Sequence, residues 1–219
     1  MNLKEQNYFY NLANQCGTDK AGHHGYHYVY PVFLSHLKEE SFNLLEIGYQ
    51  HGNSYKMWKE YFPKANIYSA DINIDDIKND DIVFKCDLSK ENEFKTIADK
   101  IKTVDVIIDD GSHVPTHQLE AFDYFFNNLL SPGGIYIIED IECNYWNPNQ
   151  EHFGYKIGFN NVLEFFKKTV DHINSEISGT KNKYNIMSLT YAPNCIILTK
   201  KTEEQINFYN RPYRFQFKI

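Results

Sequence analysis

The stretch "VDVIIDDGSHVPTHQLEAF", residues 104–122, begins as an apolar run, breaks at an acidic glycine turn, and resumes behind Pro115 with helical spacing. A nearly continuous apolar run reads as a strand covered on both faces, and proline suits the first turn of a helix. The unit is therefore strand, turn, helix. It sets Asp109, Asp110, His113 and His117 within nine residues at the mouth of the strand.

The same alternation extends in both directions. Strands are expected at 43–48 ("NLLEIG"), 66–72 ("NIYSADI"), 82–88 ("IVFKCDL"), 104–110, 134–140 ("GIYIIED"), 184–191 ("YNIMSLTY") and 194–201 ("NCIILTKK"), with helices near 53–62, 90–101, 115–130 and 158–177. Strands that alternate with helices predict an α/β fold: a Rossmann-like doubly wound sheet of seven strands, mostly parallel, with helices on both faces. Only Ala192 and Pro193 separate the last two strands, so they form an antiparallel C-terminal hairpin. Residues 1–40 precede the first strand and are expected to form a helical cap or lid, with the main domain over 41–219. The long aromatic and polar connection at 141–157 is read as a substrate loop, because long loops at the carboxyl end of a sheet tend to carry function.

Composition narrows the function. Among 219 residues, 22 Lys and Arg against 29 Asp and Glu give a net charge of -7, which argues against a nonspecific grip on nucleic acid. No run approaches the roughly 20 apolar residues needed to span a bilayer, and the N-terminus lacks a signal-type apolar core. A soluble, cytoplasmic protein is expected. Cys16, Cys86, Cys143 and Cys195 are widely spaced with no CxxC pair, so neither a zinc ribbon nor a disulfide framework is indicated. The 17 Tyr and 16 Phe residues leave a homo-oligomer open. The final "RPYRFQFKI" reads as a solvated or subunit-contacting terminus.

Three acids end the first three strands: Glu46, Asp71 and Asp87. Between the first strand and its helix, Gly48 and Gly52 allow a sharp turn and a close backbone approach. The Gly-x-x-x-Gly spacing departs from GxGxxG and disfavours NAD. Acids at successive strand ends suit a nucleoside cofactor without phosphates: Asp71 toward the ribose hydroxyls, Asp87 toward the base edge, and Asp109 as a cofactor-facing or structural acid.

"EIGYQHGNSYKMWKEYFPKANIYSADI" (46–72) resembles the first two motifs of the class I S-adenosylmethionine-dependent methyltransferases, and is most similar to their macrolide-sugar O-methyltransferases of the mycinamicin and macrocin type. The resemblance extends to "CGTDKAGHHGYHYVYP" from Cys16, "DDGSH" at 109–113, "GGIYIIEDI" at 133–141 and Tyr145–Trp146, and so covers roughly 14–200. It implies S-adenosylmethionine as cofactor, with Lys20 and Ser54 as candidates for its methionine carboxylate. His23, His24 and His27 lack a nearby third type of ligand for a metal cluster, and the resemblance assigns their segment to cofactor and substrate closure.

Asp110 and His113 follow the fourth strand, Glu139 and Asp140 the fifth. Neighbouring strand ends bring these carboxylates together, a donor set suited to a hard divalent ion such as Mg²⁺. The resemblance implies Asp110, Glu139 and Asp140 as metal ligands and His113 as general base. A sugar hydroxyl would then be held and acidified by the ion, deprotonated by His113, and methylated in line by the sulfonium. His117, Tyr145 and Trp146 are candidate substrate contacts. The expected acceptor is a small-molecule or nucleotide-linked sugar, in the biosynthesis of a surface polysaccharide or natural product. An amine or phosphoramidate acceptor is the alternative, and a noncatalytic nucleoside-binding module is the reading outside enzymes.

Overall fold

Every predicted strand is present in the computed structural model, which describes residues 2–74, 82–180 and 183–209. The terminal stretch from 211 lies outside these residues. In chain order the elements are α1 (Leu3–Cys16), α2 (Asp19–Gly22), a 3-10 turn (Tyr26–Tyr28), α3 (Tyr30–Leu34), a second 3-10 turn (Ser35–Leu37), β1 (Asn43–Ile47), α4 (Asn53–Tyr61), β2 (Asn66–Asp71) and β3 (Val83–Lys85). These are followed by α5 (Glu91–Ile101), β4 (Val104–Asp109), α6 (Pro115–Asn128), β5 (Leu130–Glu139), a third 3-10 turn (Ile141–Tyr145), β6 (Glu151–His152) and β7 (Tyr155–Lys156). The chain continues through α7 (Val162–Lys168), α8 (Val170–Ile173), α9 (Ser175–Ser178), β8 (Ile186–Ala192), β9 (Cys195–Lys200) and α10 (Glu203–Tyr209).

Seven strands form one sheet in the order β3-β2-β1-β4-β5-β9-β8. β1 pairs in parallel with both β2 and β4, and β4 in parallel with β5, while β9 runs antiparallel to β5 and to β8. The chain reverses its direction of winding between β1 and β4, and in open α/β sheets the crevice at that reversal is where ligands bind. Alternation over 106–108, with a register shift between Val104 and Val106, divides the interior in two. Val106 and Ile108 pack with Phe9, Tyr30 and Trp58 on one face, Val104 and Ile107 with Phe94, Phe122 and Phe125 on the other. Residues 1–40, expected as a cap, thus supply part of the helical layer on one face of the sheet.

Two expectations change in detail. The helix drawn at 158–177 is three short pieces, α7 to α9. The Thr169 hydroxyl donates to the Phe166 carbonyl at 2.7 Å, a local bond that competes with the helical ladder at the first break. The strand drawn at 82–88 shortens to β3, because Asp87 folds back into its own turn through Ser89 N at 3.0 Å and Ser89 Oγ at 2.7 Å. Among the described residues no helix is long and apolar enough to cross a membrane.

Candidate active site

The turn after β1 is built for close approach. Gly48 sits at φ 103°, and a Cβ there would lie 2.0 Å from the Asp110 carbonyl, so only glycine lets the β1 and β4 turns touch. Asp71, at the end of β2, anchors the same turn: its Oδ2 accepts the Tyr49 and Gln50 amides, each at 2.8 Å, and its Oδ1 accepts the Asn73 amide at 2.9 Å. Gly52 is the N-cap of α4 at φ 73°. Ser54, in the first turn of α4, donates its hydroxyl to Glu46 Oε2 at 2.7 Å, and Trp58 Nε1 donates to Glu46 Oε1 at 2.9 Å. Asp87 accepts from Ser89, pairs with Lys90 at 2.9 Å, and accepts the Tyr155 hydroxyl at 3.2 Å. Burial pushes its carboxyl up, but the Ser89 and Lys90 bonds outweigh burial and hold it at about 2.

Beneath this turn lies an acidic cluster organised around one ammonium. Lys20 is wholly buried, and its Nζ lies 2.6 Å from Asp110 Oδ2, 2.7 and 2.8 Å from the two Glu139 oxygens, and 3.3 Å from Glu46 Oε1. Burial pushes that ammonium down, and Asp110, Glu139 and Glu46 together overcome it and hold the group well above the ordinary lysine range. Tyr30 donates a short hydrogen bond to Glu139 Oε1, and Gln118 Nε2 caps the Glu139 carbonyl at 2.8 Å. Both Glu139 oxygens are therefore occupied by the protein.

Asp140 faces the other way. Its Oδ1 accepts the Tyr26 hydroxyl at 2.7 Å and Asn194 Nδ2 at 3.0 Å, with His24 Nδ1 at 3.2 Å, while its Oδ2 lies 3.8 Å from His113 Nε2. His113 and Asp140 both hold left-handed backbones, at φ 58° and 52°. Such conformations in non-glycine residues cost energy and concentrate where a side chain must be aimed. Among the described residues, Asp110, His113 and Asp140 can each present a ligand atom within 4.8 Å of the other two. The two carboxylates suit a hard divalent ion completed by water, and the imidazole beside them is placed to take a proton.

Asp109 is fully buried and neither oxygen reaches a hydrogen-bond partner. Burial raises its carboxyl to about 7; Asp110 adds to the rise, and the Gly111 amide and Tyr136 hydroxyl oppose it without meeting hydrogen-bond geometry. His117 is also buried, its Nδ1 2.8 Å from Ser112 Oγ and its ring edge-on to Tyr155. The β6–β7 hairpin lies over the site: the His113 ring centroid is 5.9 Å from His152 and 6.4 Å from Phe153, and Trp146 packs edge-on to His152 at 5.2 Å. Tyr145 projects outward, 78% exposed.

Sequence reading did not anticipate Tyr26, Tyr30, His24, Asn194 or Gln118 as supports of the β5 acids. The available signal was spacing, since Lys20 and His24, and Tyr26 and Tyr30, are each four apart within the "GTDK" segment. His27, by contrast, packs on Tyr10 and Tyr28, away from these acids.

No family model matches the chain. Its sequence is 32% identical over 169 residues to the 8-demethyl-8-alpha-L-rhamnosyl tetracenomycin-C 2'-O-methyltransferase of Streptomyces olivaceus, covering 73% of this chain and 44% of that protein. It is 33% identical over 148 residues to the mycinamicin VI 2''-O-methyltransferase of Micromonospora griseorubida, covering 62% and 36%. The solved structure of the MycE methyltransferase from the mycinamycin biosynthetic pathway, in complex with Mg, SAH and mycinamycin VI, aligns with a TM-score of 0.73 and 27% identity over 89% of this chain and 53% of that one. The chain spans about half or less of the length of these relatives. In sheet order and in sequence the chain is similar to the class I methyltransferases, and in particular to the mycinamicin- and macrocin-type sugar O-methyltransferases.

Proposed function

We propose that this chain transfers a methyl group from S-adenosylmethionine to a sugar hydroxyl with the help of a divalent ion such as Mg²⁺, in the assembly of a glycosylated natural product or a surface polysaccharide. The observation that carries the reading is the convergence of Asp110, His113 and Asp140 at the ends of adjacent parallel strands, next to the Gly48 turn. The complex of MycE with Mg, SAH and mycinamycin VI supports it, as does the sugar methylation named in the curated relatives.

In this reading the crevice between the β1 and β2 turns takes the nucleoside, with Asp71 at its floor and Glu46, Gly48, Gly52, Ser54, Asp87 and Asp109 shaping the surrounding backbone. A bound divalent ion would be held by Asp110 and Asp140, and would supply a positive charge that orients and acidifies the acceptor hydroxyl. His113 accepts the hydroxyl proton at an imidazole nitrogen. Asp140, fixed by Tyr26 and Asn194, keeps the imidazole facing the acceptor, and the hairpin carrying His152 and Phe153 shields the reacting atoms from water. Trp146, Tyr145 and the face near His117 border the acceptor. A cytoplasmic location fits a reaction that consumes this cofactor.

The test is transfer of labelled methyl from S-adenosylmethionine to a panel of nucleotide-linked and glycosidic deoxysugars, with Mg²⁺ or with a chelator. Label should reach a sugar oxygen only with the ion present, and His113→Ala should lower the rate by roughly 10²–10⁴-fold. Transfer that is indifferent to chelator and to His113, or that goes to nitrogen, would overturn the proposal.

A further inference from the structure

We infer that Tyr155 is a positioning residue that fastens the acceptor cover to the nucleoside end of the site, so that the β6–β7 hairpin is set over His113 when the nucleoside binds against it. The inference rests on the nucleoside crevice proposed above and says how that crevice acts on the acceptor side. The hairpin is two ladder pairs long, Glu151 with Lys156 and His152 with Tyr155, and is closed by Phe153 and Gly154 at φ 48° and 83°. Positive φ at both central residues is the tight reversal a two-residue loop needs, but two pairs are too few to stand alone in water. What holds the hairpin down therefore decides where its tip lies.

His152 and Tyr155 are directly opposite one another and so share one face of the hairpin. They divide the site between them. His152 lies over His113, ring centroids 5.9 Å apart, while Tyr155 meets His117 edge-on at 4.7 Å and donates its hydroxyl to Asp87 Oδ1 at 3.2 Å. Among the described residues, that is the one hydrogen bond from 147–158 to the rest of the chain. Asp87 also accepts the Ser89 amide and hydroxyl and pairs with Lys90, all between 2.7 and 3.0 Å, so Tyr155 is the loosest of its four partners. A ligand shifts an equilibrium only through contacts that differ between its two states. A base edge brought to Asp87 meets the Tyr155 hydroxyl and ring there, and those contacts exist only while the hairpin is down. By the same linkage, the cover over the acceptor is set from the cofactor side.

The experiment is amide hydrogen exchange of 147–158 in the full chain, with and without saturating SAH, in the parent, Tyr155→Phe and Tyr155→Ala. Calorimetry on the same samples gives the SAH affinity. The Ile157 and Gly158 amides, bonded to the Gln150 and Pro148 carbonyls at 2.9 Å, report opening of the hairpin. SAH should slow their exchange at least about fivefold in the parent and less than about twofold in Tyr155→Ala, with Tyr155→Phe, which keeps the ring, in between. Acrylamide quenching is the second readout: Trp146 packs on His152 at 5.2 Å, and the other tryptophan, Trp58, is wholly buried. SAH should shield Trp146 in the parent and leave it unshielded in Tyr155→Ala. A purely structural Tyr155 would speed exchange equally with and without SAH. That result, or a parent hairpin indifferent to bound SAH, would overturn the inference and leave the nucleoside site standing. Absence of SAH binding by the parent would overturn the nucleoside site, and this inference with it.

Discussion

The Tyr26 hydroxyl donates to Asp140 Oδ1 at 2.7 Å, tying the N-terminal segment to the end of β5 across 114 positions of sequence. The bond takes one carboxylate oxygen out of competition and turns the other toward His113. Tyr26 in turn stacks on Tyr30 at 5.2 Å, which holds Glu139 in the same way. The segment before the first strand is thus the support layer of the β5 acids.

Tyr26→Phe keeps this stacking and removes the hydroxyl. It should lower stability by about 1 kcal/mol and weaken Mn²⁺ binding by roughly tenfold, because groups that orient a ligand carry much of its affinity. Denaturant unfolding and resonance titration on the same sample measure both effects.

Gly48→Ala should destabilise the protein by roughly 2–4 kcal/mol, combining a left-handed backbone with a collision against main-chain atoms of the β4 turn. The Asp110 carbonyl, 2.0 Å from the added carbon, cannot rotate away as a side chain would. Urea unfolding gives the stability loss, and Mn²⁺ titration should show a parallel loss as Asp110 is displaced.

Asp109 sets a pH dependence of known sign. Its folded carboxyl titrates near 7, above the ordinary 3.8, so the native state retains a proton that the unfolded chain gives up. Stability from this group is full below the ordinary value, declines as pH rises toward the folded value, and levels off above it, with a total loss of up to roughly 4 kcal/mol. Asp109→Asn should remove the decline, so the variant should gain on the parent from about pH 5 to about pH 8 in unfolding experiments. A constant difference over that range would count against the assignment.

Phe153 stands at the tip of the β6–β7 hairpin with a left-handed backbone, φ 48°, and a ring 70% exposed near His113. Phe153→Ala should raise the acceptor KM by roughly tenfold with little change in kcat, the mark of a contact made equally in ground and transition states. SAH affinity should not move.

The strands were legible because each is an apolar run bounded by turn residues, and the reversal of the last one followed from the short gap before it, although the turn falls at Pro193–Asn194, one residue later than the expected Ala192–Pro193. The helix at 158–177 was overdrawn because periodicity alone does not register the Thr169 back-bond. At the site, strand-end positions alone make Asp110, His113, Glu139 and Asp140 neighbours, and the structure places them so; what each of them binds is not written in those positions. The partners of Lys20 could not be picked out: Asp110 and Glu139 lie 90 and 119 positions away, and no local pattern encodes a contact made only when β1, β4 and β5 stand side by side. The same holds for Asp71, whose bonds to the Tyr49 and Gln50 amides depend on the β1–β2 register.

The most direct test of the central claim is calorimetric titration of SAH into metal-stripped protein. Saturable one-to-one binding that persists with chelator and in Asp140→Asn, and weakens when Asp71→Ala releases the Gly48 turn, is the predicted result. Absence of SAH binding by the folded parent, with or without Mg²⁺, would contradict the assignment of this crevice to a methyl donor.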